Sequence, residues 1–280
     1  MRINPINNIS TTNYSPVFGQ NLHSPKLNFK YDDFFVSIKG YGKNVDWAKT
    51  IRDTADFAVK LIRENIDFES ILRFITAGVK KANNFPTDID KRVHTGILRT
   101  KRKNWTHGSE WNSYNLITPY DQRCKKYRTY ADKLDRTVDY PLYNPYRKFK
   151  LTRPVNSGNY GKFLDHAEAK YVNRGLDMVS DLYKNLHKKY AEKDITEQDL
   201  ADINSTIAEI RWILAHATPW ERGSDAISNT FMRTIYKALG IKTSPLKRGI
   251  SLDLEAYCTN LYEYKKNFTS YFNIKPYIVE

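Results

Sequence analysis

The chain has 280 residues (32.8 kDa), 40% of them hydrophobic, which is enough for one large domain or two small ones with an apolar core. Its mean hydropathy is −0.65, and polar residues interrupt its longest apolar stretches. The sequence therefore predicts no membrane-spanning helix. The 45 Lys and Arg against 31 Asp and Glu give a net charge of +14, which favours polyanions, phosphorylated ligands or acidic proteins as partners.

Residues 1–44 are rich in Asn and contain Pro5, Pro16 and Pro25, a composition that opposes regular helix. We predict a mobile leader without the basic and apolar regions of a secretory signal peptide. Such Asn/Ser-rich leaders occur on bacterial effectors, although an unstructured terminus without a role is the alternative. The expected location is the cytoplasm or, after export without a conventional signal peptide, the inside of a host cell. Residues 45–280 are predicted to form a single, mainly helical domain.

Between Asp46 and Asn83 the apolar residues recur every three or four positions, which predicts two amphipathic helices. Asp67 is the predicted N-cap of the second helix. Further helices are predicted at Phe163 to Tyr190, from Thr196 to about His216, at about 225–239, and from Leu252 to about Phe268. Thr196 with Asp199 resembles a capping box, Ser224 or Asp225 is the predicted N-cap of the helix at about 225–239, and Gly240 follows that helix as a left-handed residue.

Residues 91–153 differ from the rest of the chain. They hold 16 Lys and Arg but only 5 Asp and Glu, a net +11 of the total +14, interleaved with Tyr, Trp and Pro. We predict short strands and loops with one short helix near 125–134. Basic residues mixed with aromatic ones can track a phosphate backbone and stack on bases. The cations of this alternative nucleic-acid or acidic-partner surface are Lys101, Arg102, Lys103, Arg123, Lys125, Lys126 and Arg128. The competing interpretation is a solvated charged face.

Common catalytic and metal-binding motifs are missing from the sequence: it has no HExxH, GxSxG, CxxC or GxxxxGK[ST] pattern. Cys124 and Cys258 lie far apart without a histidine pattern, so neither a disulfide framework nor a structural zinc site is predicted. The six histidines share no ligand spacing, and no metal ligands are assigned. Two cysteines in this arrangement suit a reducing compartment.

The segment 208–227 is the strongest candidate for a functional site. A helix is followed by the turn Pro219-Trp220-Glu221-Arg222-Gly223 and a second helix, whose unpaired N–H groups could bind an anion. We predict His216, Glu221 and Arg222 as catalytic residues, because an imidazole can exchange protons near neutral pH and a guanidinium can bind phosphate. The predicted ligand-binding residues are Arg99, Gly223, Ser224, Glu209 and Trp212. Structural roles are open for each: helix capping for His216, a solvated charge for Glu209, and packing for Trp212.

The region from Thr196 to Gly240 resembles the core of the Fic/Doc family, which transfers nucleotide monophosphates or phosphate to protein hydroxyls. The family motif reads His-Pro-Phe, any residue, Asp/Glu, Gly-Asn-Gly-Arg, any two residues, Arg, and this chain keeps Pro219, an aromatic Trp220 and Gly223. Gly96-Ile97-Leu98-Arg99 resembles the start of the family's substrate flap. Five of the other motif positions are occupied by Thr218, Arg222, Ser224, Ala226 and Asn229.

Because Thr218 stands in place of the catalytic His, the resemblance implies a degenerate, effector-like relative that does not catalyse ordinary AMP transfer. The sequence therefore predicts a mostly α fold, a helical core with an irregular or small β insertion at residues 91–153. The first functional hypothesis is an effector- or toxin-like transferase that binds a phosphorylated ligand, for example a nucleotide with magnesium, and acts on a protein target. The second is a non-enzymatic basic module that binds nucleic acid or an acidic protein.

Overall fold

The computed structural model describes residues 29–34, 45–83, 95–99, 117–119, 128–147, 149–156 and 161–279. The α-helices in this part of the chain are α1 (Val45–Arg63), α2 (Phe68–Ala82), α3 (Arg128–Asp139), α4 (Ala169–Tyr190), α5 (Glu197–Ala217), α6 (Ser224–Ala238), α7 (Leu252–Cys258) and α8 (Leu261–Asn267). Short 3₁₀ turns lie at Tyr31–Phe34 and Phe268–Tyr271. The predicted class, mostly α with a small β insertion, is confirmed.

Five short strands form two antiparallel sheets in the described residues. The strands are β1 (Ile117–Pro119), β2 (Arg153–Asn156), β3 (Lys162–Asp165), β4 (Ile241–Lys242) and β5 (Tyr277–Ile278). The first sheet has the order β1-β3-β2, and its central register pairs Leu164 with Pro154 on one side and Thr118 on the other. The second sheet pairs β4 with β5. The larger sheet thus contains strands from within and just after the basic segment.

Helix α5 forms the centre of the core and packs against α4, α6, α7 and α8. In its C-terminal half, every residue from Ile210 to Ala217 is buried. A helix that is apolar all round must lie inside the protein, because it has no face suited to water. Helices α1 and α2 pack on each other and on α6, which closes the other side of the core.

Several predicted helix boundaries agree with the structure because they depend on local capping. Asp67 accepts a hydrogen bond from the Ser70 amide at the start of α2. Thr196 and Asp199 form the reciprocal capping box of α5. Gly240, with φ of 76°, adopts the left-handed conformation predicted for the residue that follows α6. Each of these signals is contained within a few residues of sequence.

Three boundaries were predicted wrongly. Phe163 lies in β3 and not in a helix, because residues 162–165 pair with strands on both sides. The helix expected from Leu252 to Phe268 divides at Thr259, which is extended, and Asn260 then caps α8 through the Glu263 amide. Gly223, and not Ser224 or Asp225, is the N-cap of α6.

Within the segment predicted to be a mobile leader, residues 29–34 are described and the remainder lies outside the described residues. Phe29 and Phe34 are buried and contact each other edge to face. Arg233 of α6 stacks on Phe34, with 5.6 Å from the guanidinium carbon to the ring centroid. This short piece therefore packs on the helical core, and the division of the chain into leader and domain stays a prediction.

Candidate functional site

The turn between α5 and α6 has two left-handed residues that reverse the chain. Thr218 has φ of 41° and Gly223 has φ of 88°. Pro219 disfavours helical geometry at Thr218, which ends α5 there. A left-handed conformation is strained for a β-branched residue, and the hydroxyl of Thr218 compensates by donating to the Ala215 carbonyl at 2.8 Å. The turn is consequently fixed by its own hydrogen bonds.

Residues 95–99 lie along this turn and brace it through the backbone. The Gly96 amide donates to the Arg222 carbonyl at 3.1 Å, and the Glu221 amide donates to the Ile97 carbonyl at 3.0 Å. The Arg99 amide donates to the Pro219 carbonyl at 3.0 Å. The structure thus brings together the two sequence segments that were predicted to form one site, although they are more than a hundred residues apart.

Arg99 is fully buried and caps the C-terminal end of α5. Its Nε donates to the Thr218 carbonyl at 2.8 Å, and its Nη2 donates to the carbonyls of Ala217 at 2.9 Å and Ala167 at 2.5 Å. The last carbonyls of a helix lack partners within the helix and carry partial negative charge, so a cation is favourable there. Burial lowers the pKa of Arg99 to about 10, while Tyr257 and Glu221 act in the opposite direction. The guanidinium predicted to touch a ligand is occupied by helix capping.

His216 is fully buried in the core. Its ring lies 4.2 Å from that of Trp212 and 5.6 Å from that of Tyr257, measured between centroids. Burial lowers the pKa of His216 to about 3, against the smaller opposing influence of backbone groups at Ala256 and Thr152. The imidazole is therefore neutral at physiological pH and shielded from solvent. This environment does not suit the predicted exchange of protons near neutral pH, since that prediction required an accessible ring with a pKa near 7.

The other predicted catalytic residues lie in the turn itself, with different exposure. Glu221 is 4% exposed and interacts electrostatically with Arg99. Arg222 is exposed. Ser224 is partly buried, and its hydroxyl donates to the Trp220 carbonyl at 3.1 Å. The structure therefore separates Arg222 at the surface from His216 in the core, and these two residues do not share a pocket.

Glu209 and Trp212, both predicted ligand contacts, join α5 to neighbouring elements. Glu209 accepts hydrogen bonds from the Tyr146 hydroxyl and, at 2.6 Å, from Nζ of Lys265. Trp212 is fully buried, and its indole N–H donates to the Thr259 carbonyl at 3.2 Å. Both side chains have well-defined structural roles in packing α5, and a ligand role for either stays a prediction.

Arg211 was not among the predicted site residues. It is fully buried, and its Nη2 donates to Asp225 at 2.8 Å and to Asp253 at 3.1 Å. Burial opposes the charged form, but the two carboxylates outweigh it and raise the pKa of Arg211 above its ordinary value. The sequence does carry a signal for this burial, because aliphatic and aromatic residues surround Arg211 on all faces of the helix. It carries no signal for the partners, which come from α6 and α7.

The basic segment is only partly described. Lys101, Arg102, Lys103, Arg123, Lys125 and Lys126 lie outside the described residues, as does the side chain of Arg128. Two other cations of this segment are paired with acidic residues: Lys133 with Glu255 at 3.2 Å and Lys150 with Asp165 at 3.3 Å. The nucleic-acid surface stays a prediction.

The described part of the chain contains a candidate for neither a metal site nor a membrane span. In it, no group of three or more His, Cys, Asp or Glu side chains is placed to hold a metal ion. None of its helices is long and apolar enough to cross a membrane. The binding of a nucleotide with magnesium as a cofactor stays a prediction.

Comparison with known proteins corrects the family assignment. The family model of the AvrB/AvrC avirulence proteins matches residues 129–275, more than half of the chain. Over 107 residues, the chain is 30% identical to avirulence protein B of Pseudomonas savastanoi pv. glycinea, a match that covers 38% of this chain and 31% of the relative. The match thus spans less than a third of that relative's length. The assignment to the Fic/Doc family is wrong, because the motif positions are substituted and the matching family is a different one. The chain belongs to the AvrB/AvrC family of avirulence proteins.

Proposed function

We propose that the protein is an avirulence-type effector that reaches the inside of a plant host cell and acts on a host protein there. The match to the avirulence family over residues 129–275 carries this proposal. Avirulence protein B, to which part of the chain is similar, comes from a bacterium. The segment that matches the family model includes α4 to α8. The helical core and the α5–α6 turn are therefore the parts in which a shared role would lie.

We place the ligand contact of this effector at Arg222. The side chain is exposed, and its backbone is fixed by the hydrogen bond from Gly96. Gly223 directs the chain into α6, whose first N–H groups and positive helix end favour an anion. The acidic Asp225 in the first turn of α6 would repel that anion, but its pairing with Arg211 offsets the negative charge. These features support a phosphorylated small molecule or nucleotide as the ligand.

For the reaction, our hypothesis is the transfer of a group to a target protein. His216 has no role in this reaction. The buried, neutral imidazole cannot exchange protons with a surface ligand. Glu221 is the remaining acid–base candidate of the predicted set, since it precedes Arg222 in the same turn. Its side chain is nearly buried, which would protect a proton transfer from bulk water.

Calorimetric titration with ADP, with and without magnesium, tests the ligand site. Replacement of Arg222 by Ala should weaken binding by about 1.5–3 kcal/mol, the range for a charge-assisted hydrogen bond. Arg248→Ala is the matched control, because Arg248 is exposed in a loop after β4 and outside the turn. Equal affinities of the two variants would reject the assignment of the ligand to Arg222.

Expression in plant leaf cells tests the effector role separately. The wild-type protein should alter the host defence response, and Arg222→Ala should reduce that effect more than Arg248→Ala at equal protein levels. A wild-type protein that accumulates in the cells without any effect on defence would contradict the proposed function.

A further inference from the structure

A surface groove lies away from the α5–α6 turn, between the loop at 141–147, α5 and α8. Its volume is about 580 Å³, and the residues that line it include Tyr143, Pro145, Leu261, Tyr262, Lys265 and Lys266. Volumes in this range are typical of binding sites for small ligands or short peptide segments. None of the residues predicted to form a catalytic or ligand site lines this groove.

The apolar walls of the groove are unusually exposed. Tyr143 and Tyr262 are each 76% exposed, although most large aromatic side chains are largely buried. These two rings, together with Pro145 in the same lining, provide apolar area that a partner could cover. Tyrosine is well suited to this role because it offers a flat apolar face and a polar hydroxyl.

The backbone around both tyrosines is held in place. After Tyr143, the Asn144 side chain accepts a hydrogen bond from the Tyr146 amide at 2.9 Å and donates to the Phe149 carbonyl. Tyr262 lies in the first turn of α8, where the Asn260 side chain accepts from the Glu263 amide at 3.0 Å. Walls that are already ordered lower the entropic cost of binding.

The charge of the groove is positive. Its charged lining residues are Lys265 and Lys266. Lys265 is 2.6 Å from a carboxylate oxygen of Glu209, which compensates its charge. Lys266 is exposed, and the described residues show no ion pair to it. A partner with a carboxylate beside its apolar residues would complement Lys266.

We propose that the groove binds an extended, proline-containing acidic peptide segment of a partner protein. Grooves lined with aromatic rings bind polyproline II segments, whose fixed backbone loses little entropy on binding. Proline rings would lie on Tyr143 and Tyr262, and a carboxylate would pair with Lys266. A single-stranded nucleic acid is less well matched, because tracking a strand requires several cations along the groove. The proposal names the partner chemistry and rests on the proposed role of an effector that acts on a protein.

Fluorescence anisotropy with two labelled peptides tests the proposal on the purified chain. The probes are a repeat of Pro-Pro-Glu and a repeat of Pro-Pro-Lys, which share the backbone conformation and differ in charge. The wild-type protein should bind the acidic peptide at least about tenfold more tightly. Tyr143→Ala and Tyr262→Ala should each weaken this binding about tenfold, as expected for central aromatic contacts. Lys266→Glu should reverse the preference between the peptides.

Two matched controls separate the groove from the rest of the surface. Tyr140 is 80% exposed but does not line the groove, and Lys184 is exposed on α4. Tyr140→Ala and Lys184→Glu should bind the acidic peptide like the wild type. All substituted residues are exposed, so the variants should fold, and circular dichroism verifies this.

Three results would overturn the proposal. The first is equal binding of both peptides, or equal affinity of Tyr143→Ala and Tyr140→Ala for the acidic one. The second is an oligothymidylate that binds more tightly than the acidic peptide and loses its affinity in Tyr262→Ala, which would assign the groove to nucleic acid. The third is a dimer that dissociates in the tyrosine variants. Arg222→Ala should bind the acidic peptide normally, so failure at the groove is distinguishable from failure of the ADP titration or of the defence assay.

Discussion

Arg211 lies in the C-terminal half of α5 and Arg99 packs against the end of that helix; both are fully buried, but their charges are stabilised in different ways. Arg211 meets the carboxylates of Asp225 and Asp253, and its pKa is raised. Arg99 donates to two backbone carbonyls at the end of α5 and to the Ala167 carbonyl, and burial lowers its pKa to about 10. Full charges compensate a buried cation more completely than a helix dipole does. Both arginines remain charged at neutral pH, and both join distant parts of the chain to α5.

The largest expected effect comes from removal of a partner of Arg211. Asp253→Ala should lower the free energy of unfolding by about 3–5 kcal/mol, because it leaves a buried cation with one partly exposed partner. Urea denaturation measures this change. Asp225→Ala is the matched variant and should cost less, since the Asp225 side chain is 38% exposed while that of Asp253 is 4% exposed. Equal losses would show that burial of the carboxylate does not set the strength of the pair.

Removal of the Arg99 guanidinium should have a somewhat smaller effect. Arg99→Met keeps an unbranched apolar side chain but leaves the carbonyls of Ala217, Thr218 and Ala167 without their donor. We expect a loss of about 2–3 kcal/mol in the free energy of unfolding, the upper range for hydrogen bonds to a charged group. Arg99→Lys should recover only part of this, because lysine lacks the planar fork that reaches several carbonyls. Full stability of Arg99→Met would contradict the capping role.

The buried His216 should make the free energy of unfolding depend on pH, and neither arginine is involved in this effect. Its folded pKa of about 3 lies below the ordinary value of 6.5, so the unfolded chain binds the proton more readily. The stabilisation is complete above pH 6.5 and is lost as the pH falls towards 3. His216→Leu should therefore show a flatter decline of unfolding free energy across this interval than the wild type. Parallel curves from denaturation at several pH values would show that His216 is accessible to protons in the folded state.

The smallest change is expected at the surface arginine. Arg222→Ala should alter the free energy of unfolding by no more than about 0.5 kcal/mol, since the Arg222 side chain is exposed and substitutions of exposed side chains usually change stability little. Thermal denaturation of Arg222→Ala and Arg99→Met under the same conditions compares the two losses of stability directly. A loss as large as that of Arg99→Met would mean that Arg222 is also a structural residue, and its proposed ligand role would lose its basis.

The sequence predicts features that are encoded locally. Asp67, the Thr196–Asp199 box and Gly240 act on backbone groups within four residues, so their effects can be inferred from sequence alone. By contrast, Phe163 has neighbours compatible with a helix, and only its pairing with β1 and β2 makes it a strand residue.

The candidate site was harder to predict because it also depends on contacts between residues that are distant in the sequence. His216 and Arg222 are close in sequence, but the turn between them places one in the core and the other at the surface. The role of Arg99 depends on carbonyls at positions 167, 217 and 218, which no local pattern connects. The groove combines residues from the 141–147 loop and α8, and exposed tyrosines carry no periodic signal.

Hydrogen exchange at the junction of residues 95–99 with the α5–α6 turn tests most directly whether Arg99 and Arg211 organise different regions. The amides of Gly96 and Glu221 donate across this junction, while those in the middle of α5 donate within the helix. In Arg99→Met, under native conditions, the two junction amides should exchange at least about tenfold faster relative to wild type, and the α5 amides near Arg211 should change less. Asp253→Ala should show the opposite order. Junction amides that keep their wild-type protection in Arg99→Met, or a uniform change in both variants, would contradict this division of roles.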